Sequence, residues 1–155
     1  MEIVGSDAMD YSTLREVTIL QQVRGHQSFV QLQKVMRPRR GSIVLELELM
    51  DGSLHDLLVQ LQENESVLPE IDQFFVIRRI LEGLDFMRQK RIVHRDLKPG
   101  NILFKFNSDP TVHRIISTVK IADFGLSRQL SFYKMPLSPK IASLPYRPPE
   151  ILMGD

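Results

Sequence analysis

Between two apolar stretches, Ile92-Val93 and Ile102-Leu103-Phe104, the chain places "HRDLKPGN", residues 94 to 101. A histidine, an arginine, an aspartate, a lysine and an asparagine crowd into those eight positions. A loop holding them can point every one of these side chains at a single small volume. A second polar cluster, "ADFG", follows "VKI" and brings in Asp123. Whatever fold this chain adopts must present both clusters.

The flanking segments limit the choice. Residues 12–24, "STLREVTILQQVR", read as a helix: Thr13 and Glu16 fit a capping box, and Leu14, Val17, Leu20 and Val23 recur along one face. "FVQLQKV" (29–35) and "SIVLELEL" (42–49) read as strands. In the second, Ile43, Leu45, Leu47 and Leu49 alternate with Val44, Glu46 and Glu48. In "DGSLHDLLVQLQ" a turn passes into a helix, with Ser53 at the N-cap and Asp56 three residues on. Residues 70–88 give the strongest helical pattern. Phe74, Ile77, Leu81 and Leu84 share a face, and Pro69 suits the first turn. Short apolar pieces follow, divided by polar loops, and from Ser127 onward Pro136, Pro139, Pro145, Pro148 and Pro149 oppose regular structure. The order is α+β and is not the strand–helix alternation of a Rossmann sheet.

Composition narrows the function classes. The 155 residues suffice for one compact domain, and 43% hydrophobic with 25% charged residues excludes disordered, collagen-like and coiled-coil chains. A net charge of +1 gives no case for nucleic acid or an acidic membrane as partner. The basic run "KVMRPRR" (34–40) reads as a solvated loop, with a docking or import patch as the other reading. The absence of cysteine excludes disulfides, thiolate zinc sites and a cysteine nucleophile. No apolar run approaches the ~18–20 residues of a membrane span, and the first residues carry no signal pattern. The chain therefore reads as soluble and intracellular, with cytoplasm and nucleus both open.

The two polar clusters suit one chemistry. Asp96 can accept a proton from an attacking hydroxyl, or orient it. Lys98 can offset negative charge on a transferring phosphoryl group. Asn101 can give an oxygen ligand to Mg²⁺, which prefers hard oxygen donors shared with substrate phosphates. Asp123 would add the carboxylate that bridges metal and phosphate.

With these residues in this order, the chain resembles the catalytic core of eukaryotic protein kinases: "HRDLKPGN" resembles the catalytic loop and "DFG" the metal-binding motif. "YRPPEIL" (146–152) is similar to the Tyr-Arg-Ala-Pro-Glu segment of cyclin-dependent and mitogen-activated kinases, and "YSTLREVTIL" to the cyclin-binding helix. The resemblance covers residues 10–155. It implies a partial protein-kinase-like fold of the α+β class, with 1–47 a small-lobe remnant, 48–52 the hinge, and 53–155 a large-lobe portion carrying the catalytic loop and activation segment. ATP and Mg²⁺ are the implied cofactors, and transfer of the γ-phosphoryl to protein Ser or Thr the implied reaction. Asp96 would position the substrate hydroxyl, Lys98 stabilise the γ-phosphoryl, and Asn101 and Asp123 hold the metal. The resemblance makes Leu47 the gatekeeper, gives the backbones of Glu48 and Met50 the adenine edge, and lays Leu103 under the ring. Glu16 would pair with the ATP-contacting lysine. Leu20, Leu32, His94 and Phe124 match the stacked regulatory spine.

It also implies regulation. Ser138 falls where cyclin-dependent kinases carry an activating phosphothreonine, and Arg15, Arg95 and Arg128 match the arginines that cage its phosphate. Ser143 matches a threonine that touches the catalytic aspartate and lysine, and Arg147 fits a preference for Ser/Thr-Pro substrates. A protein substrate, a cyclin-like activating subunit and an upstream kinase acting on Ser138 are the implied partners.

The departures from the family shape the expectation. The glycine-rich loop and the ATP-contacting lysine lie outside this sequence, the lysine about two residues ahead of Met1 by the alignment. The large-lobe helices beyond Asp155 are likewise outside it, leaving helix 70–88 with too little to pack against, so the isolated chain is expected to be unstable or molten and inactive. Pro145 stands where the group has tryptophan, Gly100 where glutamate is common, and "KFNSDPTVHRIIST" lengthens a surface hairpin. The alternative is a kinase-derived binding module, inactive and engaging a cyclin through "YSTLRE". A hydrolase or another nucleotide-binding fold lacks its motif here.

Overall fold

The structure, a computed structural model, describes residues 2–3, 11–38, 42–109, 111, 113, 115–130, 144–147 and 149. Helix α1 (Tyr11–Gln22) precedes an antiparallel sheet of order β1-β3-β2, formed by Glu2–Ile3, Leu32–Met36 (β2) and Ile43–Leu47 (β3). The helix starts earlier than the sequence pattern indicated. Thr13 is therefore its third residue, buried at 3% exposure, and not an N-cap, so the expected Thr13–Glu16 capping box does not form. The alternation of the second strand stops at Leu47, and Leu49 is 82% exposed. Past Leu47 the chain leaves the ladder: Glu48 donates its N–H to the Gln31 carbonyl and Asp51 donates to that of Phe104, which carries it across to a second sheet.

That sheet has order β4-β6-β7, from Gly52–Ser53 (β4), Ile102–Phe106 (β6) and Ile116–Ile121 (β7). Phe29 bridges Ile121, with Val30 N–H on the Ile121 carbonyl at 3.0 Å and Ile121 N–H on that of Ser28 at 2.8 Å. Phe29, Phe124, Val23 and Ile116, all fully buried, anchor one core that spans the two sheets. A two-stranded ladder, β5 (Ile92–Val93) with β8 (Arg128–Gln129), closes the region around the first polar cluster.

Helix α2 (Leu54–Glu63) starts as read from sequence: Ser53 Oγ accepts the Asp56 N–H at 3.3 Å while the Asp56 carboxylate accepts from the Ser53 N–H. Helix α3 (Glu70–Gln89) begins directly after Pro69. Its core side carries Val76, Gly83 and Met87, whereas Phe74, Ile77 and Leu81 are 65%, 53% and 59% exposed. The apolar face picked out by periodicity is thus the outer one. At Gly83 a Cβ would stand 2.9 Å from Ile121 Cδ1 and 3.1 Å from Ser28 Cβ, so glycine permits the close seat of α3 on β7. No helix among the described residues is long and apolar enough to cross a membrane.

The lengthened hairpin between β6 and β7 is anchored from α3. Asp72, fully buried, accepts the N–H of Ile116 at 2.9 Å and of Ile115 at 3.1 Å. Replacing it strands two amides, one of them buried. Asp72→Ala is expected to cost about 3 kcal/mol of stability, with Asp72→Asn costing less because one acceptor oxygen remains. Urea denaturation checks both.

Candidate active site

Residues 94–101 run from β5 to β6 through a short 3₁₀ turn at Pro99–Asn101. His94 is buried, with Nε2 3.0 Å from the Ala122 carbonyl oxygen and Nδ1 accepting the Asp96 N–H at 3.3 Å. This pairing puts the ring proton on Nε2. Burial lowers the His94 pKa, so the imidazole is neutral near pH 7. Its ring packs against Phe124, centroids 5.2 Å apart. Leu20 and Phe124 are core residues and Leu32 packs on that core half-buried. Ser127 Oγ donates to the His94 carbonyl at 3.1 Å, tying the two polar clusters together.

Asp96 is 6% exposed, and its Oδ2 accepts from Lys98 Nζ at 2.7 Å and from Asn101 Nδ2 at 3.1 Å. The same Asn101 amide donates to the Asp96 carbonyl at 2.8 Å. Asn101 then ties down the next strand, its carbonyl accepting the Ala122 N–H at 2.9 Å. Asp123 follows directly, with φ +63°, and its Oδ1 accepts the Gly125 N–H. Arg95 has φ +70° and donates from Nε to the Leu126 carbonyl at 2.6 Å. Two non-glycine residues in the left-handed region, one in each polar cluster, store local strain of about 1–2 kcal/mol apiece that the surrounding bonds hold in place.

These elements enclose a cavity of roughly 480 Å³, within the size range of small-molecule sites. Ile43, Leu45, Leu47 and Leu103 give it an apolar wall, while Asn101, Asp123 and Glu16 supply polar groups. Of the residues singled out in the sequence, Leu47, Leu103, Asn101, Asp123 and Glu16 therefore meet at one cavity. Asp96 and Lys98 are joined to it through Asn101. Glu48 and Met50 continue the chain past Leu47, both half-buried. Arg15 on α1 and Arg128 on β8 stand close enough to Arg95 that, after burial, their charges lower its pKa, so the three arginines share one region. Arg147, half-buried, follows a 3₁₀ turn at Leu144–Tyr146. Ser138 and Ser143 lie outside the described residues.

Sequence reasoning did not assign Ile43, Leu45, Ser12 or Leu126 to this cavity. The alternation of β3 held a signal for the first two; nothing local marked Ser12 or Leu126.

The Glu16 carboxyl is held above its ordinary range by burial first and by the Asp123 charge second, against a bond from the Phe124 N–H. For the metal expected here, Asn101 and Asp123 are both hard oxygen donors. Among the described residues no cluster of three His, Asp or Glu side chains forms. Two protein ligands are what Mg²⁺ takes when phosphates and water complete its shell, so the donor set fits.

Residues 4–155 match the family described as protein kinase domain, and the chain belongs to that family. Its relatives lie among the cyclin-dependent and mitogen-activated kinases. It is 37% identical over 142 residues to cyclin-dependent kinase 2 of Caenorhabditis elegans, covering 92% of this chain and 36% of that protein. To cell division control protein 2 homolog 3 of Trypanosoma brucei brucei it is 36% identical over 149 residues, covering 96% and 43%. To mitogen-activated protein kinase 7 of Arabidopsis thaliana the figures are 34% over 145 residues, 91% and 36%. The chain thus spans about two fifths of the length of these curated relatives. A chain of the yeast RNA Pol II CTD kinase CTDK-1 complex shares the fold with a TM-score of 0.82 at 24% identity, covering all of this chain and 46% of that one.

The raised Glu16 pKa has a measurable sign. Between the unfolded value of 4.5 and the raised folded value, the folded chain holds a proton that the unfolded chain has released. Stability therefore falls as pH rises through that window and stays lower above it. Glu16→Gln is expected to be more stable than wild type at neutral pH, with the difference closing toward pH 4.5 and below. Urea denaturation of both proteins from about pH 4 to pH 8 measures it, and a pH-independent difference would contradict the assignment.

Proposed function

We propose that this chain carries the phosphoryl-transfer site of a serine/threonine protein kinase that uses ATP and Mg²⁺. The observation that carries the reading is the cavity itself. An apolar wall of Leu47, Leu103, Ile43 and Leu45 suits a flat base, and oxygen donors from Asn101 and Asp123 share the same space. Asp96 is bonded to one of those donors. Bound Mg²⁺ supplies neutralisation of the phosphate charge. The rest is work for side chains. Asn101 and Asp123 hold the metal, Asn101 also orients the Asp96 carboxylate, and Asp96 orients the substrate hydroxyl and takes its proton. Lys98, on the same Asp96 oxygen in this structure, offsets charge on the transferring group. The segment 48–52 acts as a hinge, where Glu48 and Met50 offer backbone groups to the base.

Regulation follows the arginines. Arg15, Arg95 and Arg128 form a cationic region suited to a phosphoryl group on Ser138 placed by an upstream kinase. Ser143 and Arg147 belong to the substrate side, with Ser/Thr-Pro as the preferred sequence. A cyclin-like subunit on α1 is the fitting partner, because cyclin-dependent kinases are among the relatives.

Phosphate transfer from Mg²⁺-ATP to a Ser/Thr-Pro peptide, measured on the longest protein that contains this chain, tests the reading. Asp96→Asn is expected to lower kcat by about 10²–10⁴-fold with little change in the KM for ATP. Asp123→Asn is expected to abolish Mg²⁺-dependent ATP binding. A protein that binds Mg²⁺-ATP but transfers nothing to any hydroxyl contradicts catalysis and leaves the binding-module reading.

A further inference from the structure

Glu48 is held by more than its place in the chain. Its Oε1 accepts from Lys120 Nζ at 2.5 Å and from the Gln31 N–H at 2.7 Å, while its own N–H donates to the Gln31 carbonyl at 3.0 Å. The ion pair is largely out of water, with side-chain exposures of 17% and 12%. Gln31 is itself fixed, its Nε2 donating to the His26 and Phe29 carbonyls and its Oε1 accepting the Gly25 N–H. Gly25 has φ +80°, a conformation that favours glycine. A second tie lies three residues on: Asp51 gives its N–H to the Phe104 carbonyl at 2.9 Å, and its carboxylate accepts the Phe106 N–H at 2.8 Å. The segment is pinned at both ends to the β4-β6-β7 sheet, whose last strand leads into Asp123, and Leu49 and Met50 lie between the pins.

We infer that Lys120 is a positioning residue for nucleobase recognition: its ion pair with Glu48 sets the distance between the base-binding segment and the strand that leads into Asp123. This rests on the nucleotide reading above. Lys120 lies in β7 three residues before Asp123, and its ammonium reaches back to residue 48, so one side chain links the two ends of the ligand's site. Without the charge on Lys120, a mostly buried carboxylate loses its counter-ion and residues 48–50 move to rehydrate it. A base needs its backbone partners held to within about 0.5 Å. Glu48→Gln keeps an acceptor for the Gln31 N–H while removing the charge, so it isolates the ion pair.

The test is calorimetric titration of the protein with adenosine, which carries no phosphate, beside thermal melting. Lys120→Met and Glu48→Gln are each expected to weaken adenosine binding about tenfold, and the double variant no further. Lys120→Arg is expected to restore binding to within about twofold, a rescue that lost packing alone would not give. In a transfer assay of Lys120→Met the KM for ATP rises and kcat holds. Variants that melt earlier yet bind adenosine as wild type does, well below the melting temperature, overturn the inference and leave the nucleotide reading intact. Should Lys120→Met not fold, Glu48→Gln and Lys120→Arg decide. A wild-type protein that binds no adenosine overturns the nucleotide reading as well.

Discussion

A carboxylate with 6% exposure needs partners to keep its charge, and the geometry of the site follows from how Asp96 finds them. Its Oδ2 takes the Lys98 ammonium and the Asn101 amide together. Because the same amide also bonds the Asp96 carbonyl, the six residues from Asp96 to Asn101 are drawn into a tight loop. Asn101 then passes the constraint on through its carbonyl to Ala122, the residue before Asp123. A neutral imidazole closes the circuit from the other side, His94 bonding both the Asp96 N–H and the Ala122 carbonyl. One buried charge thereby fixes the register between two segments far apart in sequence.

The cavity beside this loop has its own tension. Glu16 and Asp123 repel across it, and burial works against the ionised Glu16. A cation beside such groups lowers the energy of both. On the proposed reading the apolar wall from β3 and Leu103 does the complementary task, since a heteroaromatic base would gain by leaving water there. The two halves suit one amphiphilic ligand.

What was readable from sequence was local. The Ser53–Asp56 capping box needs only residues three apart, and it forms as read. The same pattern at Thr13 and Glu16 misled, because the helix begins at Tyr11 and the Glu16 carboxyl meets the Phe124 N–H instead of capping. The periodicity of α3 identified the helix; its Phe74, Ile77 and Leu81 are exposed among the described residues, while the close seat at Gly83 defines its core face. The kinase motifs were legible as a pattern, and the structure shows how Asp96, Lys98 and Asn101 bond to one another. Contacts between distant positions left no trace. Asp72 reaches amides 43 and 44 residues away, and Lys120 reaches Glu48 across 72. Each reads in sequence as an ordinary surface charge, because nothing within a few residues tells which strand will pass by.

The most direct test of the central claim is a crystal structure of the protein with Mg²⁺ and a non-hydrolysable ATP analogue. The account predicts the base against Leu47 and Leu103, and the metal held by an Asn101 oxygen and an Asp123 carboxylate oxygen with phosphate oxygens completing its shell. An analogue bound elsewhere, for example in the apolar groove between α2 and α3 lined by Leu58, Leu61, Val67 and Ile77, would contradict it. So would a metal bound without either Asn101 or Asp123.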